Sequence, residues 1–134
     1  MDRPEVREVW SAATADRTGA TFLEVVESDV SLAGSAFAEP VVGKEEVWTA
    51  LRASASVYDS IAFTDTAEAG SFAYLQWSGR ALGLDVAGVT VLGLSERGRF
   101  ATVSIHMRPF PAVIAISAEI ARVLSPPRPT NGAR

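Results

Sequence analysis

A chain of 134 residues is about one domain's worth of polypeptide, and 48% hydrophobic with 21% charged residues is the balance of a folded globular domain. The formal charge of -4, with arginines scattered along the chain, argues against binding a phosphate backbone, so no nucleic-acid partner is expected. With no cysteine there is no disulfide, no thiolate nucleophile and no sulfur-ligated metal. The opening MDRPEVREVW has no apolar signal core, and no run reaches the roughly 18 apolar residues of a membrane span. A cytoplasmic location without membrane contact is therefore expected.

In chain order, a first helix is predicted from Asp2 as a cap with Pro4 just inside, followed by Val6, Val9, Trp10 and Ala13 at helical spacing. A second is predicted across GATFLEVVES with Phe22, Val25 and Val26 inward, ending as DVSLA turns into a strand. A small-residue loop (Ala33, Gly34, Ser35) and the Glu39–Pro40 step lead to a third helix after Gly43. That helix puts Val47, Ala50, Leu51 and Ser54 on one side, and Glu45 and Glu46 in the first turn, where the helix dipole favours negative charge.

From Ser60 the period changes to two. IAFTDTAE, FAYLQWSG, LDVAGVTVLGLS and RFATVSIHMR read as strands separated by turn signals at AGS, LGL and ERG. Pro109 and Pro111 stop the last strand, because proline cannot donate to a ladder, and AVIAISAEIARVL reads as a closing helix with Val113, Ile116, Ile120 and Val123 on one stripe. Residues 1–124 read as one domain and residues 125–134, SPPRPTNGAR, as a disordered tail. Helices followed by a long meander predict an α+β fold. A strongly curved, mainly antiparallel, cone-shaped sheet wraps the N-terminal helices and leaves an internal pocket between its concave face and the helical layer.

The order helix, helix, ESDVSLA, EPVVGKEEV, then VAGVTVLGLSERGRF and RPF resembles the nuclear transport factor 2-like superfamily, and within it the SnoaL-like proteins and ketosteroid isomerases, from about Val9 to Val123. Ketosteroid isomerase chemistry uses an Asp base, with a Tyr and a protonated Asp to stabilise the enolate oxygen. The resemblance places the Tyr on Trp10, the base on Gly34 and the oxyanion Asp on Thr90, so all three are replaced. It therefore implies the cavity and denies it that mechanism.

With Thr90 inward by this resemblance, strand alternation puts Gly88 and Leu92 inward as well, with Ala73, Leu75 and Trp77 on one neighbour and Val103, Ile105 and Met107 on the other. The expected substrate-binding set is Trp10, Leu32, Gly34, Leu51, Ala73, Leu75, Trp77, Leu92, Ile105 and Met107. Tyr74, Gln76, Ser104, His106 and Arg108 fall on the convex face, through which many relatives dimerise, so a homodimer is expected there.

His106, the one histidine, is read as a structural or dimer-face residue, since no Gly-x-Ser-x-Gly elbow or other nucleophile signature accompanies it. A single histidine and dispersed carboxylates make no metal site, and no cofactor is expected. Asp29 reads as a turn residue, Glu39 as a turn residue or, from its place near the pocket mouth, a polar substrate contact, and Arg108 as a partner for a carboxylate at the sheet end. Trp10 and Trp77 suit either plain core or ligand walls. Two functional classes fit. One is a cyclase- or isomerase-type enzyme of secondary metabolism holding a hydrophobic, polyketide- or terpenoid-like substrate, with Thr90 orienting a carbonyl and Ser35, Tyr58 or Asp65 as further catalytic candidates. The other is a non-catalytic ligand-binding or accessory dimer of the same fold.

Overall fold

The computed structural model describes residues 5–125. Asp2, Pro4 and residues 126–134 of the expected tail lie outside the described residues. The elements run α1 (Val6–Ala15), α2 (Ala20–Val25), β1 (Val26–Gly34), β2 (Val41–Val42), α3 (Lys44–Ala55), β3 (Tyr58–Ala69), β4 (Phe72–Ala81), β5 (Leu84–Leu94), β6 (Phe100–Arg108) and α4 (Phe110–Leu124). The strands form one six-stranded sheet in the order β2-β1-β6-β5-β4-β3, antiparallel except where β1 pairs in parallel with β6.

The helices follow from their apolar stripes. Val6, Trp10 and Ala13 are the buried face of α1, and Val47, Ala50, Leu51 and Ser54 are buried on α3. On α4 the stripe Val113, Ile116 and Ile120 is buried, whereas Val123 in the last turn is 40% exposed. The second helix is shorter than expected. At Val26 the backbone turns extended (φ -113°, ψ 155°), and Val26 pairs with Phe100 on β6 where a third helical turn would have continued.

The strands alternate as a half-buried sheet must. On β4, Ala73, Leu75 and Trp77 are buried, while Tyr74, Gln76 and Ser78 between them are exposed. Cross-strand pairing extends the inward set: Trp77 faces Gly88, Leu75 faces Thr90 and Ala73 faces Leu92, and these in turn face Met107, Ile105 and Val103 on β6. β3 departs from strict alternation. Register shifts between Tyr58 and Ser60 and between Phe63 and Asp65 keep Tyr58, Ile61, Phe63 and Thr66 opposite Ala81, Gly79, Trp77 and Leu75. A bulge adds one residue and flips the parity beyond it. Asp65, two residues after the inward Phe63, is thereby placed opposite the exposed Gln76.

Two packed clusters share the interior. One gathers Trp10, Phe22, Val26, Leu32, Leu75 and Val103 beneath α1, α2 and α3, with Trp10 edge-on to Phe22 (centroids 6.3 Å) and to Phe100 (5.4 Å). The other gathers Trp77, Ala81, Val86, Ile116 and Ile120 beneath α4. Phe63 and Ile105 pack against both.

Candidate functional site

A cavity of about 420 Å³ lies along the seam between the two clusters. Its walls come from α1 (Trp10, Ser11, Thr14), α3 (Trp48, Leu51, Arg52, Ser54), β3 (Tyr58, Ile61, Phe63) and the sheet floor (Trp77, Thr90, Ile105). Ile61, 45% exposed, and the exposed Ala15 and Ala55 stand at its mouth, and the buried Trp10, Trp77 and Thr90 form its depth. This is the size and the apolar, aromatic character of a small-molecule pocket.

Two hydroxyls give the interior its chemistry. Thr90 is only 4% exposed and lines the cavity, and its hydroxyl makes no hydrogen bond to any described residue. Its Oγ1 is not sealed from the cavity space, so the hydroxyl is available to a ligand oxygen there. Tyr58 stands edge-on to Trp77, with ring centroids 5.8 Å apart at 90°, and donates its Oη–H to the Met107 Sδ at 3.4 Å. Burial pushes its phenol up to about 12, against an opposing hydrogen-bond contribution from Ser54. The phenol is therefore a protonated donor at neutral pH. Its thioether acceptor is weak and readily exchanged for a carbonyl oxygen.

The structure brings together Trp10, Leu51, Tyr58, Trp77, Thr90 and Ile105 from the residues singled out in the sequence. Leu32, Ala73, Leu75 and Leu92 also lie on the inner side but are fully buried core behind the cavity wall. Met107 supports the wall through Tyr58. Gly34 ends β1 opposite the lining residue Ile105 but is not itself part of the lining. Ser35 is exposed, and its hydroxyl accepts the Met107 N–H at 3.1 Å, pinning the loop after β1 to β6. Asp65 is exposed and accepts from the Thr66 N–H. Thr66 itself has a buried Oγ1 without a partner, but it does not line this cavity.

Sequence reasoning overlooked Ser11, Thr14, Trp48, Arg52, Ile61 and Phe63 in the lining. The helical members flank the residues that were found, Ser11 and Thr14 beside Trp10 and Arg52 beside Leu51. The borders of the two apolar stripes were the signal for them. Among the described residues no three of His, Asp and Glu gather in a way that could hold a metal ion, and no helix is long and apolar enough to cross a membrane.

No family model and no curated protein sequence matches the chain. Solved structures do. A steroid delta-isomerase from Pseudomonas aeruginosa superposes with a TM-score of 0.80 at 19% identity, over 88% of this chain and 88% of that one. An uncharacterized bacterial protein with a cystatin-like fold from Silicibacter pomeroyi gives 0.76 at 22%, over 84% and 79%. An NTF2-like protein of unknown function from Cytophaga hutchinsonii gives 0.63 at 12%, over 83% and 96%. At these identities the likeness is one of fold, and the fold of this chain is that of the nuclear transport factor 2-like superfamily, shared with ketosteroid isomerase-like and SnoaL-like proteins.

Proposed function

We propose that this protein is a cyclase- or isomerase-type enzyme acting on a hydrophobic, polyketide- or terpenoid-like small molecule of secondary metabolism. The observation that carries the reading is that the Thr90 hydroxyl and the Tyr58 phenol line one aromatic-walled cavity. Two donors on one substrate carbonyl stabilise the charge that develops on its oxygen as an enolate forms. Trp10, Trp77 and Phe63 hold the carbon skeleton folded and exclude water, so geometric restriction supplies the remainder of the acceleration. A second reading, a ligand-binding protein without turnover, is favoured by one feature: among the described residues no Asp or Glu lines the cavity to move a proton.

Incubation with a panel of unsaturated polycyclic ketones, followed by product chromatography, separates the two. The enzyme reading expects turnover that Thr90→Val and Tyr58→Phe each lower by about 10²-fold, the loss typical of one oxyanion donor. Binding without turnover across the panel favours the ligand-binding reading. For its partner in assembly we propose a second copy docked on the convex sheet face that carries Tyr74, Gln76, His106 and Arg108, all exposed in the single chain.

A further inference from the structure

Among the described residues Arg52 is the one charged residue on the cavity wall. Its guanidinium lies 5.7 Å from the Trp48 ring centroid, and one donor, Nη1, is used on the Arg17 carbonyl at 2.5 Å. Arg80, Arg97 and Arg122 each hold a carboxylate, but no described carboxylate pairs with Arg52. Asp16, next to Arg17 in the chain, is engaged elsewhere. Its Oδ1 accepts from the Thr18 N–H and hydroxyl, and its Oδ2 from the Thr21 N–H and hydroxyl. The stacked ring and the single backbone bond hold the guanidinium in one plane at the cavity while most of its five donors stay free.

Resting on the proposed function of this cavity, we infer that its ligand is an amphipathic carboxylic acid. The acid group is held by Arg52 beside the α1 hydroxyl of Ser11, and the apolar body lies between Trp10, Tyr58 and Trp77. A planar carboxylate matches the guanidinium fork, and a bond between two charged groups at a partly desolvated rim is stronger than one to a neutral amide. Placing the acid at Arg52 leaves Thr90, in the depth of the cavity, for an oxygen on the ligand body. The chain is acidic overall, with a formal charge of -4, so selection of an anion falls to this local cation rather than to the net field.

Calorimetric titration of the full chain with 2-naphthoate and with its neutral isostere 2-naphthamide tests the inference. Wild type is expected to bind naphthoate about tenfold more tightly, the ratio one charge-assisted bond supports. Arg52→Gln is expected to abolish that preference while still binding naphthamide, and circular dichroism checks that the variant is folded. Arg52→Lys keeps part of the preference, and added salt weakens naphthoate binding alone. Equal affinity of wild type for both probes, or an acid preference that survives in Arg52→Gln, overturns the role of Arg52 and leaves the cavity reading standing. Failure of both probes to bind wild type overturns the cavity reading and this inference together.

Discussion

The indole of Trp77 lies against the backbone of Gly88, its cross-strand partner. A Cβ at position 88 would stand 2.7 Å from the ring Cζ2 and 2.3 Å from the His106 carbonyl oxygen. A glycine inside a strand ordinarily weakens it, but here it makes the seat on which an aromatic wall of the cavity rests.

Gly88→Ala is therefore expected to destabilise by about 1–3 kcal/mol, the usual cost of an extra methyl in a packed interior. Denaturant unfolding measures the loss, and tryptophan emission reports the displaced ring. Wild-type stability with unchanged emission would contradict the packing described.

Trp77→Ala and Gln76→Ala separate the two sheet faces at adjacent positions. Trp77 is buried and lines the cavity, whereas Gln76 is exposed on the other face. The first substitution is expected to cost about 3–5 kcal/mol and to weaken naphthamide binding sharply. The second is expected to leave binding within about twofold, as a surface change away from the site does. A larger binding loss from Gln76→Ala, measured by calorimetry on folded variants, would reverse the assignment of faces.

Tyr58 predicts an alkaline limit to stability. In the unfolded chain the phenol ionises near pH 10, but in the fold it holds its proton to about 12. Between those values the folded state binds more protons than the unfolded state, so stability falls as pH rises from about 10 towards 12. Tyr58→Phe removes this group's share of the fall. A thermal-melting series from pH 8 to 11.5 with the same alkaline slope in both proteins would show that the phenol is not held in this environment.

How far the sequence carries a reader depends on whether a feature is local. Val6, Trp10 and Ala13, or Val47, Ala50 and Leu51, announce a buried helix face by spacing alone, and the turn at Leu82–Gly83 announces its hairpin, with φ of 56° and 77°. The start of β1 was not legible, because Val26 turns extended to pair with Phe100, a partner far along the chain. The two-residue β2, Val41–Val42, is too short to show a period. The face that Asp65 takes was not legible for a physical reason of the same kind: the bulge after Phe63 is a property of the pairing with β4 and leaves no mark in the alternation itself. In the site, Trp10 showed in helical spacing, whereas Thr90 came from the resemblance and Trp77 from it by strand alternation. Spacing marks Arg52 only as a border residue of the α3 stripe; how its guanidinium is held at the cavity rests on contacts with Trp48 and Arg17.

The convex face predicts self-association. Phe72 and Tyr74 are 43% and 39% exposed on β4, next to Gln76 and, on β6, His106. Light scattering at micromolar concentration is expected to give the mass of a dimer, and Tyr74→Glu the mass of a monomer, since a buried unpaired charge is costly at an interface. A monomeric wild type would leave this face as plain solvent-exposed sheet.

Steroid isomerisation is expected to be absent, and Gly34→Asp is expected not to create it. Gly34 occupies the place where the resemblance to ketosteroid isomerases puts their base, so restoring an acid there is the obvious repair. The backbone does not accept it. A Cβ at Gly34 would lie 2.5 Å from the Ile105 carbonyl oxygen, on the very pairing that fixes β1 against β6. An aspartate at this position must first push those two strands apart, and its carboxylate then starts from a residue that does not line the cavity. The expected outcome is a variant less stable than wild type that isomerises an unsaturated ketosteroid no faster than buffer. An ultraviolet assay for the conjugated product across pH 4 to 9 checks it. A rate in Gly34→Asp that rises through the titration of a carboxylate would show that the end of β1 reaches the cavity after all.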